Sequence, residues 1–175
     1  MKPPLRLIPL VICGLTATAA AQAPVSDALR STAKRSGTNL VAAAEEMPAG
    51  KYGFKPTPAQ MSFGDVIAHL SKGNYFLCSS VSGVAAPKRS EISGTTPKAT
   101  LVSALKESFQ FCESSLGPVD DSGLSQKVPF FGNREVSRAE MMFAAAEDWA
   151  DHYSQLANYL RLNQLLPPTA KQKGE

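Results

Sequence analysis

The chain has 175 residues, of which 43% are hydrophobic, and a formal net charge of +3 at neutral pH. This length predicts one domain that is large enough to bury a hydrophobic core. Because the charge is small and the basic residues do not cluster, we expect no nucleic acid partner.

Residues 1–21 have the pattern of an export signal. Lys2 and Arg6 precede an apolar stretch, and the small residues Ala19 and Ala21 fit a peptidase cleavage pattern. The apolar stretch is too short to span a bilayer comfortably, so we predict cleavage after Ala21 and no stable membrane anchor. The mature protein is then expected to be periplasmic or extracellular. Its 16 basic and 15 acidic residues nearly cancel, which argues against electrostatic partners.

Two cysteines, Cys78 and Cys112, remain after the predicted cleavage. An even pair of cysteines in an oxidising compartment is typical of a disulfide. The alternative is a pair of buried thiols, because a free cysteine behaves as a small apolar residue. The predicted compartment favours the disulfide.

Apolar residues at helical spacing predict four helices in the domain that we assign to residues 22–168. The first helix is expected over residues 26–47. The second is expected to start after Ser62, which can form a capping box with Asp65, and to run to about residue 81.

The third helix is expected to follow a polar connection over residues 83–95. Thr96 is the predicted cap, with Pro97 in the first helical position, and Gly117 ends the helix. Residues 120–136 are predicted to form a long loop, and we find no convincing strand in the chain.

The last helix is expected to begin with a second capping box, formed by Ser137 and Glu140. It is predicted to continue to about residue 166, where Pro167 and the proline after it break it. Residues 169–175 are expected to be a disordered tail. The chain is thus predicted to be an all-α four-helix bundle, with a core that includes Leu40, Leu70, Leu105, Phe109 and Leu156.

The chain contains two histidines, His69 and His152, and both lie where a metal site between helices would need them. Asp148 precedes His152 by four residues, which places both side chains on one helix face. Two imidazoles and a carboxylate can hold a divalent metal. The spacing alone is a weak signal, since a core histidine at 69 and an Asp148–His152 hydrogen bond on an exposed face are common alternatives.

Several segments of the chain, in order, resemble the DinB-like family of bundle proteins, especially its exported bacterial members. They are residues 54–58, 62–69, 74–78 and 151–163, the last of which runs into a pair of prolines. The resemblance implies a four-helix bundle in which three histidines hold a metal, usually inferred to be zinc or nickel. One histidine comes from the second helix and two, four residues apart, come from the last.

His69 corresponds to the first ligand of that pattern and His152 to the last, whereas Asp148 stands where the family has a histidine. An aspartate can also ligate zinc, nickel or iron, and two histidines with one carboxylate form a known metal set. The change at Asp148 is equally compatible with a weakened or lost site. Ser154 and Gln164 stand where glycine is frequent in the family, and the change at Ser154, near the predicted site, is expected to alter the helix contact there.

Two classes of function remain open. In the first, the protein is a metal-dependent hydrolase or transferase, since relatives resemble thiol-dependent transferases and isomerases in which the metal activates a low-molecular-weight thiol. Export argues against a cytosolic thiol cosubstrate and favours water as the nucleophile. In the second, it is a non-catalytic exported bundle with a degenerate metal site that binds a partner or small ligand. A small-molecule ligand and a homodimer are both left open.

Overall fold

The computed structural model describes residues 23–171, which form a four-helix bundle with a small hairpin between the third and fourth helices. The predicted bundle is confirmed, whereas the predicted export signal lies outside the described residues. The long helices are α1 (Pro24–Glu46), α2 (Phe63–Ser82), α3 (Lys98–Leu116) and α4 (Arg138–Leu162). The smaller elements are β1 (Lys127–Phe130), β2 (Arg134–Ser137) and the short helix α5 (Pro168–Lys171).

The core lies between the four long helices, and α1 and α2 each pack against both α3 and α4. Each helix turns an apolar stripe inward, as the sequence periodicity requires. The five residues that we expected in the core are all buried, with at most 4% of their surface exposed: Leu40, Leu70, Leu105, Phe109 and Leu156.

The two predicted capping boxes are present. The Ser62 hydroxyl accepts from the backbone N–H of Asp65, and the Asp65 carboxylate accepts from the backbone N–H of Ser62. Ser137 and Glu140 make the same pair of bonds at the start of α4. These caps fix where α2 and α4 begin, while the apolar stripe of each helix decides which residues face the core.

The start of α1 is capped by a residue that is distant in sequence. The side chain of Asp121 accepts hydrogen bonds from the backbone N–H groups of Val25 and Ser26, at 3.0 and 2.9 Å, and from the Ser26 hydroxyl. A carboxylate is favoured at this position by the unpaired N–H groups and the helix dipole. This contact lets α1 begin two residues earlier than the sequence predicted.

The third helix starts one residue later than predicted. Pro97 has an extended backbone and precedes the first helical residue, Lys98, and no side chain caps the helix. The Thr96 hydroxyl accepts instead from the backbone N–H of Ser93, which closes the turn before the helix. The prediction that Thr96 caps α3 was therefore wrong.

The segment predicted as a loop contains an antiparallel hairpin, in which Val128 pairs with Val136 and Phe130 with Arg134. The prediction of no strand was wrong. Its turn has a Gly132–Asn133 pair in which both residues have positive φ, at 69° and 57°, a conformation that favours these two residue types. Pro129 fits β1 because both strands of a two-stranded sheet are edge strands.

The last helix ends four residues earlier than predicted. Gln164 adopts a left-handed backbone with φ of 63°, and Leu165 N–H bonds to the carbonyl of Leu160. This is a Schellman ending, in which glycine usually occupies the left-handed position. The turn thus ends α4 before the two prolines are reached.

The chain after α4 is partly ordered. Residues 169–171, which we expected in a disordered tail, belong to α5, while residues 172–175 lie outside the described part. Tyr153 exchanges hydrogen bonds with the hydroxyl and the backbone N–H of Thr169, and Lys171 forms a 2.6 Å ion pair with Glu46. These contacts hold α5 against α4 and α1.

The predicted disulfide between Cys78 and Cys112 is present, with the Cα atoms 5.3 Å apart. It joins α2 to α3, and both cysteines are fully buried. None of the helices within residues 23–171 is both long enough and apolar enough to cross a membrane.

Candidate metal centre

The candidate site lies between α2 and α4, which run in opposite directions. The Tyr159 hydroxyl near the end of α4 donates to the carbonyl of Met61, just before α2 begins. His69, two turns into α2, is thereby placed opposite the middle of α4, where Asp148 and His152 occupy successive turns.

Three side chains converge at this point. Asp148 Oδ1 lies 3.4 Å from His69 Nε2 and 3.5 Å from His152 Nε2, and the two imidazole rings are 4.7 Å apart between centroids. Ligand-type atoms of all three residues lie within 4.8 Å of one another. The structure therefore brings together the three residues singled out in the sequence. Their role as metal ligands remains a prediction.

The three side chains differ in exposure, so the cluster has an open side. The side chain of His69 is 46% exposed, that of Asp148 22% and that of His152 14%. The cluster is thus anchored in the bundle through α4 and reaches solvent past His69. A small molecule can approach from that side.

The charges of the cluster are coupled. Burial raises the pKa of Asp148, but hydrogen bonding to His152 and His69, together with their charge, outweighs it and brings the pKa to about 2. The Asp148 carboxylate raises the pKa of His152 against the lowering effect of burial, and Gln155 and Asp151 add to the rise. Asp148 is therefore an anion at neutral pH, the form that a metal ligand must have.

One oxygen of this carboxylate lacks a partner. Within residues 23–171, Asp148 Oδ2 is buried and accepts no hydrogen bond. A buried acceptor without a partner costs about 1–3 kcal/mol. Gly73 faces this oxygen, and a Cβ built at Gly73 would lie 3.8 Å from it. Gly73 therefore presents no polar side chain to this oxygen.

A chain of hydrogen bonds fixes the orientation of His152. Its Nδ1 lies 3.0 Å from Gln155 Oε1, the Gln155 amide donates to the Tyr159 hydroxyl at 2.9 Å, and that hydroxyl donates to the carbonyl of Met61. Since Gln155 presents an oxygen, Nδ1 carries the proton in the neutral ring, which leaves the Nε2 lone pair directed at the cluster.

The sequence indicated part of this arrangement. From their places beside His152 on the last helix, Tyr153 and Gln155 are predicted to lie near the cluster without coordinating a metal. In the structure the Tyr153 hydroxyl donates to the Thr169 hydroxyl, and Gln155 Oε1 lies at hydrogen-bond distance from His152 Nδ1. The contribution of Tyr159 was missed. Its only signal was the four-residue spacing from Gln155, which many helical pairs share.

Comparison with known families and structures gives a consistent result. Residues 32–156 match the DinB superfamily. The sequence has no significant match among curated proteins. A DinB-like protein from Bacillus subtilis superposes with a TM-score of 0.64 at 15% identity, covering 78% of this chain and 92% of that one. A DinB-like protein from Bacillus cereus gives 0.66 at 14% identity, covering 81% and 95%.

A mycothiol-dependent maleylpyruvate isomerase is also similar, with a TM-score of 0.60 and 14% identity over 75% of this chain. The matched region spans 60% of the isomerase, so the rest of that enzyme has no counterpart in the alignment. At these identities the structural likeness shows the fold alone. Together with the family match over most of the domain, it establishes that the chain belongs to the DinB superfamily.

Proposed function

We propose that this protein binds a divalent metal, zinc or nickel, through His69, Asp148 and His152, and that the bound metal serves a hydrolase or transferase reaction. The observation that carries the proposal is the position of Asp148 Oδ1, 3.4 and 3.5 Å from the two imidazole Nε2 atoms. Two imidazoles and a carboxylate, with further positions open, are a typical ligand set of catalytic zinc.

The two distances are long for hydrogen bonds and suit ligands of a single metal ion. Protein N–H···O bonds have donor–acceptor distances of about 2.7–3.2 Å, shorter than either separation. Ligands placed about 2.0–2.2 Å from a tetrahedral zinc ion are about 3.3–3.5 Å from one another. Neighbouring ligands at right angles in an octahedral site would be closer, at about 3 Å. Both separations are nearer to the tetrahedral value, and the proposal includes zinc and nickel alike.

The buried, unpartnered Oδ2 of Asp148 is a second argument for a cation. Either oxygen of the carboxylate can ligate, so a cation would offset the cost of leaving this atom without a hydrogen bond. Gly73, which faces it, offers no polar side chain as an alternative partner. The residues present thus fit a metal site in charge, in ligand type and in spacing.

Within this site the residues of the chain have separate tasks. Asp148 supplies the anion, and His69 and His152 supply two neutral nitrogen ligands. Gln155 holds His152 in the tautomer that directs Nε2 at the site. When bound, a divalent cation supplies a Lewis acid that lowers the pKa of a coordinated water or thiol. Substrate would approach past the half-exposed His69.

We propose further that the protein acts outside the cytoplasm, after cleavage following Ala21. The support is the basic and apolar pattern of residues 1–21, together with the Cys78–Cys112 disulfide, a bond rare in most cytosolic proteins. An exported protein has no access to cytosolic thiols, which favours hydrolysis over thiol-dependent transfer. A cell fractionation experiment with an antibody to the bundle tests the location.

The second candidate function is a non-catalytic bundle with a degenerate metal site. Asp148, in place of the expected histidine, favours it, because a carboxylate between two imidazoles can also form an ion cluster that needs no metal.

Metal content of the purified protein, followed by calorimetric titration with zinc and nickel, decides between the two. We expect about one zinc per chain and a dissociation constant in the micromolar range or below. His69→Ala should abolish binding, because two ligands on one helix rarely suffice. Glu113→Gln is the control, since this exposed acid lies on α3 and is not part of the cluster. Absence of binding to the wild-type protein would leave only the non-catalytic function.

A further inference from the structure

A second site lies on another face of α2. A cleft of about 380 Å³ is enclosed by α2, α3 and the connection that follows α2. This volume is within the range of small-molecule sites in proteins. None of the three candidate metal ligands lines the cleft. Its most informative lining residues are Lys72, Tyr75, Lys88, Arg89, Thr100 and Glu107.

The cleft has an excess of positive charge. Lys72 lies 3.2 Å from the carboxylate of Glu91, whose side chain is 93% exposed, so that pair is weak. Within the described residues, Lys88 and Arg89 have no carboxylate at ion-pair distance. The one acid that lines the cleft is Glu107, which accepts a hydrogen bond from the Ser103 hydroxyl at 2.9 Å.

Arg89 is held in place by an aromatic stack. Its guanidinium carbon lies 4.4 Å from the centre of the Tyr75 ring, and Tyr75 packs against Phe111 with 5.2 Å between ring centres. Tyr75 is only 6% exposed, so it is a fixed platform. A guanidinium stacked on a ring keeps its N–H edge free for a carboxylate or phosphate, and its fixed position lowers the entropy lost on binding.

The rest of the lining suits hydroxyl groups. Thr100 and Ser90 present hydroxyls that can donate and accept, and Glu107 presents a carboxylate that can accept from ligand hydroxyls. An apolar ligand would leave these groups, and the two cations, without partners, and a cationic ligand would be repelled.

We propose that this cleft binds a small organic anion that carries several hydroxyl groups, of the size and chemistry of a phosphorylated or carboxylated hexose. Arg89 and Lys88 bind the anionic group, while Thr100 and Glu107 bind hydroxyls. The site does not depend on the metal centre, because the two share no residue.

The test is an NMR titration of the isotope-labelled protein with glucose 6-phosphate, glucuronate and glucose at about 0.15 M salt, where exposed charges are largely screened. We expect at least one of the two anions to shift backbone signals around residues 72–75, 88–92 and 100–107, and to bind at least about tenfold more tightly than neutral glucose. The phosphate and carboxylate probes identify which anionic group is preferred. His69→Ala should give the same shifts, which separates this site from the metal centre.

Single substitutions test which basic side chains bind the anion. Arg89→Gln and Lys88→Gln should each weaken the dissociation constant of the bound anion about tenfold, whereas Lys34→Gln on α1 should leave it unchanged. Since Lys88 makes no ion pair within residues 23–171, its replacement tests the site even if loss of Arg89 from its stack on Tyr75 disturbs the connection. The proposal is overturned if neither anion binds, if glucose binds equally well, or if Lys34→Gln weakens binding as much as Lys88→Gln.

Discussion

The indole nitrogen of Trp149 donates a 2.7 Å hydrogen bond to the side-chain oxygen of Asn74, in the interior of the bundle. Asn74 is fully buried, and its amide nitrogen donates to the Ser108 hydroxyl at 2.9 Å. Trp149 and Asn74 directly follow Asp148 and Gly73 in sequence. This bond therefore fixes how α2 and α4 face each other beside the candidate metal centre.

Replacement of Asn74 should be costly. Asn74→Ala leaves the Trp149 N–H buried without a partner, so we expect a loss of about 1–3 kcal/mol in the free energy of unfolding. Urea denaturation followed by tryptophan fluorescence measures it. Asn158→Ala, an exposed asparagine on α4, should change stability by less than about 0.5 kcal/mol. Equal effects of the two variants would show that the buried bond is unimportant.

The affinity for zinc should depend on which side chain occupies position 148. Asp148→His should strengthen binding, because it restores the three-histidine pattern of the family. Asp148→Asn should weaken binding at least about tenfold, because the amide keeps the shape but loses the charge. Competition with a chromogenic chelator gives both constants. A wild-type protein that binds no metal, beside an Asp148→His variant that does, would identify a decayed site.

Gln155 should act as a positioning residue for His152. Gln155→Ala removes the acceptor for Nδ1–H, and we expect zinc affinity to fall about tenfold. Gln155→Glu should recover most of the affinity, because it retains an oxygen acceptor. A purely structural role predicts no such recovery. Ser154→Ala, at the neighbouring exposed position, should bind zinc as the wild type does.

Loss of the disulfide should destabilise the bundle without changing its fold. The two cysteines are 34 residues apart, a loop whose closure contributes about 4 kcal/mol on the chain-entropy account. We expect the Cys78→Ala/Cys112→Ala double variant to lose about this much stability in urea. Reduction of the wild type should give a similar loss. Two thiols that alkylate without reductant would contradict the bond.

Acid should release the cap of α1. Hydrogen bonds from Ser26 to Asp121, opposed by a smaller effect of burial, lower the pKa of this carboxyl below its ordinary value of 3.8. Its contribution to stability is therefore complete above about pH 4 and is lost as the pH falls through the lower folded-state pKa. We expect Asp121→Asn to lower the melting temperature at pH 7 and to converge with wild type once the pH has fallen below the folded-state pKa of Asp121. A difference that persists unchanged at pH 2 would exclude this origin.

The sequence predicted those elements that local chemistry determines. Each capping box, at Ser62 and at Ser137, involves residues only three positions apart. The first residues of α2 and α4 could therefore be predicted from the sequence. His69 and His152 could be placed on helices for the same reason. That these helices face each other came from the family resemblance, because periodicity identifies a buried face but not its neighbour.

The features that were missed depend on distant or unusual contacts. The cap of α1 comes from Asp121, about 95 residues away. The partner of Asn74 is a tryptophan 75 residues further along, and no local pattern connects them. Gln164 ends α4 in a conformation that its residue type rarely adopts, so the prolines beyond it were the stronger sequence signal.

The long-range cap also affects the order of events during synthesis. Asp121 leaves the ribosome well after Ser26, and at about 5–20 residues per second the delay is roughly 5–20 s. During that interval the first turn of α1 lacks its capping carboxylate and frays easily. The proposed cleavage point after Ala21 lies three residues before Pro24, where α1 begins. The part of the described chain nearest the proposed cleavage point is thus the last part of α1 to gain its full set of hydrogen bonds.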